Sequence, residues 1–118
     1  MADFDRSTVR LTHFGRKSGK PYRVTIWFVV IDGRVWIGSM SRERSWVKNV
    51  RATKTAELDF GSGPRPVRCE WRDDRADLER FSEAVKSKHP LMSRVIALIS
   101  KDDRCTFRTD LTTDRRAV

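Results

Sequence analysis

The chain has 118 residues, 38% of them hydrophobic and 35% charged, and its 25 lysines and arginines against 16 acids leave a net charge of +9. That length fits one domain with a modest core, and no apolar run approaches the roughly 18 residues that span a bilayer. The opening Met1-Ala2-Asp3-Phe4-Asp5 is acidic rather than an apolar leader, and Cys69 and Cys105 have no metal-ligand spacing, so the chain reads as reduced and cytoplasmic.

Thr8 to Phe14 alternates weakly and predicts a first strand. Gly15-Arg16-Lys17-Ser18-Gly19-Lys20-Pro21 follows, a turn holding three cations, a hydroxyl and two glycines. Such a turn can offer N–H groups and fixed charge to an anion, most plausibly a phosphate, or it can be a solvated turn. Arg23 to Ile31 is almost continuously apolar and predicts a strand buried on both faces, as in a closed barrel. Asp32-Gly33 is a strong hairpin signal, and Val35 to Gly38 forms the return strand. Arg42 to Ala52 predicts a short helix capped by Ser39 or Ser41, with Trp46, Val47 and Val50 on one face.

Thr55 to Phe60 predicts a strand with Ala56, Leu58 and Phe60 inward. Beyond the turn Gly61-Ser62-Gly63-Pro64, Val67 to Trp71 alternates, with Val67, Cys69 and Trp71 on one side. Asp73 to Lys88 predicts a helix whose buried stripe is Leu78, Phe81 and Val85. Pro90 restarts a helix with Leu91, Val95, Leu98 and Ile99 as its stripe. Arg104 to Thr109 is the last strand, with Cys105 and Phe107 inward, and Asp110 to Val118 reads as a frayed polar tail. The sum is a mainly β, six-stranded antiparallel barrel with added helices, one domain over residues 1–118. A barrel this small leaves apolar surface poorly covered, which favours a homodimer.

The charge is not spread evenly. Arg6 to Arg23 holds six cations and no acid, and Arg42 to Lys54 holds five cations and one acid. Two basic clusters suit a polyanionic ligand, a nucleic acid or an anionic membrane surface. Neither His13 nor His89 has a partner at metal spacing, and His13 reads as a surface residue at a strand end. Lys17-Ser18 matches the close of a Walker loop without its leading glycine, and there is no nucleophile elbow. Trp46 is either a core residue or a surface on which a flat ring could stack, and Asn49 beside it either faces solvent or faces that ligand. A basic small barrel could also bind single-stranded nucleic acid, but most aromatics here fall in apolar strands, where bases could not stack.

Residues 11–60 resemble the deazaflavin-dependent nitroreductase family, flavin/deazaflavin oxidoreductases with a split β-barrel like that of pyridoxamine-phosphate oxidase. The resemblance is carried by the Gly15-Arg16-Lys17-Ser18-Gly19 loop, the hairpin at Asp32-Gly33, the Trp46-x-x-Asn49-x-x-Ala52 helix and the strand after it. It implies a six-stranded split barrel of the FMN-binding type, a homodimer, and coenzyme F-420, an 8-hydroxy-5-deazaflavin with an anionic phosphate and glutamate tail. Arg16, Lys17, Ser18 and Gly19 would meet the phosphate, and Lys20 the glutamates. Arg23, one place later than the family's arginine, joins that cationic set. Gly38, Ser39, Met40 and Ser41 would line the deazaflavin, and Trp46 and Asn49 would close the site. The implied reaction is hydride transfer to an unsaturated or electron-poor acceptor: a quinone, enone, nitro or lipid-like compound. FMN in the same loop, or ligand carriage without turnover, is the alternative. Tyr22, Ser39 and Ser41 are the candidates for a proton donor. The short, basic form is similar to a branch associated with lipid-like ligands and peripheral membrane contact.

Overall fold

A computed structural model describes residues 8–88 and 104–112. Six strands run in the order β1 (Thr8–Phe14), β2 (Pro21–Ile31), β3 (Arg34–Ser39), β4 (Thr55–Asp59), β5 (Pro64–Arg72) and β6 (Cys105–Thr112). Helix α1 (Ser45–Thr53) precedes β4, and α2 (Arg75–Lys88) follows β5. All neighbouring strands are antiparallel, and the sheet closes in the order β1-β2-β3-β6-β5-β4. Closure removes the free sheet edges that would invite aggregation.

Local chemistry sets the first three strands. Ile31 pairs with Arg34 across Asp32-Gly33, and both turn residues have positive φ, 53° and 76°. That left-handed pair matches the twist of the flanking strands, so Asp-Gly fixes the hairpin register. β1 then pairs with β4 through Leu11 opposite Leu58, closing the barrel. Its interior holds Leu11, Phe28, Ile37, Leu58, Phe60 and Phe107, each 1% exposed or less. Phe28 and Phe60 meet edge-on at 4.9 Å.

α1 places Trp46, Val47 and Val50 in that core. It ends at Lys54, whose left-handed backbone (φ 64°) brings its N–H 2.7 Å from the Val50 carbonyl. α2 packs on β2 and β6 and covers a second apolar cluster of Val29, Trp36 and Val85. Ion pairs from Arg72 of β5 to Asp77 (2.6 Å) and from Arg80 to Asp32 (2.5 Å) tie α2 to the barrel.

Three sequence expectations change. β2 is not buried on both faces throughout: Pro21 to Arg23 and Thr25 are exposed, and only around Phe28 and Val29 do the barrel interior and α2 cover opposite sides. α1 begins at Ser45, and no side chain caps it. Ser39 and Ser41 bond to one another instead, Ser39 Oγ donating to the Ser41 carbonyl at 2.8 Å and accepting from the Ser41 N–H at 3.1 Å. β6 runs on to Thr112, because Asp110 Oδ1 accepts the Arg68 N–H at 3.0 Å, so the polar tail cannot begin at Asp110. The expected helix after Pro90 lies outside the described residues.

The crossing of α2 over β3 depends on Gly38. A Cβ there would sit 2.6 Å from the Phe81 ring and 2.8 Å from the Cys105 carbonyl oxygen. Gly38→Ala is expected to destabilise the protein by about 1–3 kcal/mol, the usual cost of overpacking, measured by urea denaturation.

Candidate functional site

The β1–β2 loop is bonded into a fixed shape. The Gly15 N–H donates to the Lys20 carbonyl (2.9 Å), the Gly19 N–H to the Gly15 carbonyl (2.8 Å), and the Lys20 N–H to Ser18 Oγ (3.2 Å). Its position is set by Asn49 of α1. Asn49 Oδ1 accepts both the Arg16 main-chain N–H (3.1 Å) and Arg16 Nη1–H (2.7 Å). Behind it, Asn49 Nδ2 lies 2.9 Å from His13 Nδ1. Asn49 is 4% exposed and His13 6%.

His13 is therefore not the surface residue the sequence suggested. It continues the inward face of Val9 and Leu11, stacks on Tyr22 at 5.6 Å, and is read correctly by strand parity alone. Asn49 likewise faces inward, three residues after Trp46 on the buried face of α1.

Two cavities meet here. One, of about 720 Å³, is lined by the loop residues Arg16, Lys17 and Ser18, by Tyr22 and Arg23, and by Asn49 beneath. The other, of about 320 Å³, runs between the end of β3 and α2, with Gly38, Ser39, Met40, Phe81 and Val85 in its walls. Val24, Arg44 and Trp46 line both, so the two adjoin as halves of one surface region. Its first half is cationic. Among the described residues, Arg16, Lys17, Arg23 and Arg44 make no ion pair with an acid, and no carboxylate lines that cavity. Among the described residues the Lys17 and Ser18 N–H groups are also left to donate. Unneutralised cations converging on one cavity repel each other, and a bound anion relieves that repulsion.

The expected site residues separate accordingly. Arg16, Lys17, Ser18, Arg23 and Asn49 gather at the cationic half, and Gly38, Ser39 and Met40 at the apolar half. Trp46 joins the halves; at 4% exposure, packed on Phe107 at 5.9 Å, it is a core residue rather than an open stacking face. Gly19, Lys20 and Ser41 line neither cavity. Of the proton-donor candidates, Tyr22 stands in the cationic half, while Ser39 stands in the apolar half with its hydroxyl hydrogen directed to the Ser41 carbonyl. The sequence placed Arg44 in the second basic cluster and Phe81 and Val85 in a helix stripe, but did not assign them or Ser82 to the site.

Burial holds both thiols in the protonated form. It pushes Cys69 up to about 12, with Asp110 adding to the effect, and Cys105 up to about 11. Thiolate chemistry therefore has no part in the groove at neutral pH.

A closed six-stranded antiparallel barrel with added helices is the split-barrel architecture of flavin and deazaflavin oxidoreductases. The profile of the F420H(2)-dependent quinone reductase family matches residues 4–95, and the chain belongs to that family. It is thus an oxidoreductase whose cofactor is coenzyme F-420. Among solved structures, a conserved hypothetical protein from Mycobacterium tuberculosis matches with a TM-score of 0.68 and 21% identity, over 97% of this chain and 78% of its own. The F420-H2 Dependent Reductase FDR-A matches at 0.66 and 21%, over 89% and 95%. A third, described as a domain-swapped dimer, matches at 0.68 and 22%, over 90% and 81%. At these identities the likenesses show the fold. No curated protein matches the sequence.

The residues present fit the coenzyme. The cationic cavity, with no acid among its described lining residues, suits a phosphate and carboxylates, and the adjoining, mainly apolar slot suits a flat ring.

Burial also lowers the pKa of His13 from its usual 6.5. The charged groups around its cavity are Arg16, Lys17, Arg23 and Arg44, all cations, with Tyr22 the other titratable neighbour. The unfolded chain takes up this proton near pH 6.5 and the folded chain only at lower pH. The stability His13 contributes is thus complete above 6.5 and lost as pH falls through the lowered value. Between pH 8 and 5 the Tm of the wild type is expected to fall further than that of His13→Phe.

Proposed function

We propose that this protein transfers a hydride from reduced coenzyme F-420 to an unsaturated, electron-poor organic acceptor, with quinones, named in the family's description, in that class. The observation that carries the reading is the adjacency of two cavities: one with cations and N–H groups that have no partner among the described residues, the other with mainly apolar walls, meeting at Val24, Arg44 and Trp46.

Lys17 and Arg23 hold the phosphate and carboxylates by charge-assisted contacts, with the Ser18 hydroxyl and the Lys17 and Ser18 N–H groups completing the cradle. Arg16 adds guanidinium donors from a position fixed by Asn49. Gly19 shapes the loop, and Lys20, at its end, meets the more distant carboxylates. Met40 and the backbone of Gly38 and Ser39, which line the apolar half, would face the ring. Phe81 and Val85 keep water from it, and Arg44 brings positive charge to the junction between ring and tail. The bound coenzyme supplies the hydride, and the chain supplies orientation, charge complementarity and a dry slot. Trp36 and Trp46 are buried, which disfavours a nucleic-acid platform of stacked bases.

In a fluorescence titration, oxidised coenzyme F-420 is expected to saturate at about one per subunit, with FMN as the competing ligand. Lys17→Ala should weaken that binding by about 1–3 kcal/mol through loss of a charge-assisted contact. A folded variant that titrates like the wild type would remove Lys17 from the site, and saturation by FMN alone would overturn the coenzyme assignment.

The protein is proposed to act as a homodimer, supported by the small barrel and by exposed Tyr22 and Val30, 48% and 37% accessible. Light scattering at micromolar concentration should give twice the 13.8 kDa chain mass, and a monomer would contradict it. No helix among the described residues is long and apolar enough to cross a membrane.

A further inference from the structure

We infer that His13 is a positioning residue for the anion loop: its unprotonated Nδ1 orients the Asn49 amide, which in turn holds Arg16 at the cationic cavity. The inference rests on the coenzyme reading of that cavity, while its geometry does not.

Donor and acceptor counting leaves one arrangement. Arg16 offers only donors here, its main-chain N–H and Nη1–H, and both converge on a single Asn49 atom. That atom must be the amide oxygen, because an NH₂ group would set donor against donor. The Asn49 NH₂ then faces His13 Nδ1 at 2.9 Å. Nδ1 must accept, so the imidazole is neutral with its proton on Nε2. A proton on Nδ1 would confront the NH₂ group and release the amide to rotate. Burial of both side chains raises the cost, since no solvent can substitute for the lost partner. The ring is steadied by its stack on Tyr22.

The chain of contacts ends on an exposed residue in the ligand loop, and this separates it from an ordinary buried pair. Asn49 takes one of the five guanidinium N–H donors of Arg16 and leaves four for an anion. It also engages the Arg16 main-chain N–H, so the next two N–H groups, of Lys17 and Ser18, are set in place with it. His13 also lines the cavity beside Tyr22, but its bond to Asn49 reaches the Arg16 donors only through the amide, and it is that link which the Arg16 resonance reads.

The test is 15N NMR of the whole protein together with coenzyme titration. In the wild type, His13 is expected to show an unprotonated Nδ1 and a protonated Nε2 at pH 7.5. Asn49→Asp replaces the NH₂ donor with an acceptor and should move the proton to Nδ1. His13→Phe keeps the ring and removes the acceptor; it should shift the Arg16 amide resonance and weaken F-420 binding roughly 10-fold. His13→Gln retains an acceptor and should recover most of that loss. A protonated Nδ1 in the wild type would overturn the inference, as would a folded His13→Phe with an unmoved Arg16 amide, or equal weakening by Phe and Gln. If the wild type fails to bind F-420, the coenzyme reading falls, while the tautomer and the Arg16 amide still decide the role of His13. The wild-type tautomer decides it even if His13→Phe does not fold.

Discussion

The groove depends on the pairing of β1 with β4. Leu11 opposite Leu58 closes the barrel, and because α1 leads directly into β4, the same closure delivers the helix to the β1–β2 loop. Asn49 thereby reaches Arg16 across 33 residues of sequence, and His13 across 36. The loop gains its shape from its own hydrogen bonds, but its place comes from this long-range contact. Contacts of such separation are bought with loop-closure entropy, which the apolar interior around Phe28, Phe60 and Phe107 offsets.

Charge pairing distinguishes the basic residues that serve the groove from those that serve the fold. Arg72 and Arg108 share Glu70, and Arg72 also reaches Asp77, so these cations brace β5, β6 and α2. The second basic cluster read from the sequence divides along the same line. Arg42 pairs with Asp73 and Lys48 with Glu43, Arg51 lies 4.0 Å over the Trp71 ring, and Arg44 lines the groove with no acidic partner among the described residues. Net charge alone could not separate these roles, because it counts residues and not their neighbours.

Much of the fold was legible because its signals are local. Asp32-Gly33 demands its turn, and the alternation of Ala56, Leu58 and Phe60 gives both the strand and its inward face. The cationic loop was legible as a candidate anion site from composition. Less legible were positions whose role depends on a partner far along the chain. Ser39 and Ser41 look like helix caps until they are seen bonded to each other. His13 looks like a strand end until the helix covers it, although its parity with Val9 and Leu11 already carried the answer. The apolar half of the groove needs Phe81 and Val85 of α2 against the end of β3, and no periodicity within α2 says which strand its stripe will cover.

By itself, then, the sequence determined the six strands, the tight hairpin, the cationic loop and the family resemblance, since each is written in neighbouring residues. The tertiary structure alone decided which cations lack an acidic partner among the described residues, that Trp46 is a core residue in the wall shared by two cavities, and that His13, Asn49 and Arg16 form one chain of hydrogen bonds. The physical reason is that ion pairing, burial and hydrogen-bond partnership are properties of distance in space. Only closure of the barrel brings these residues within reach.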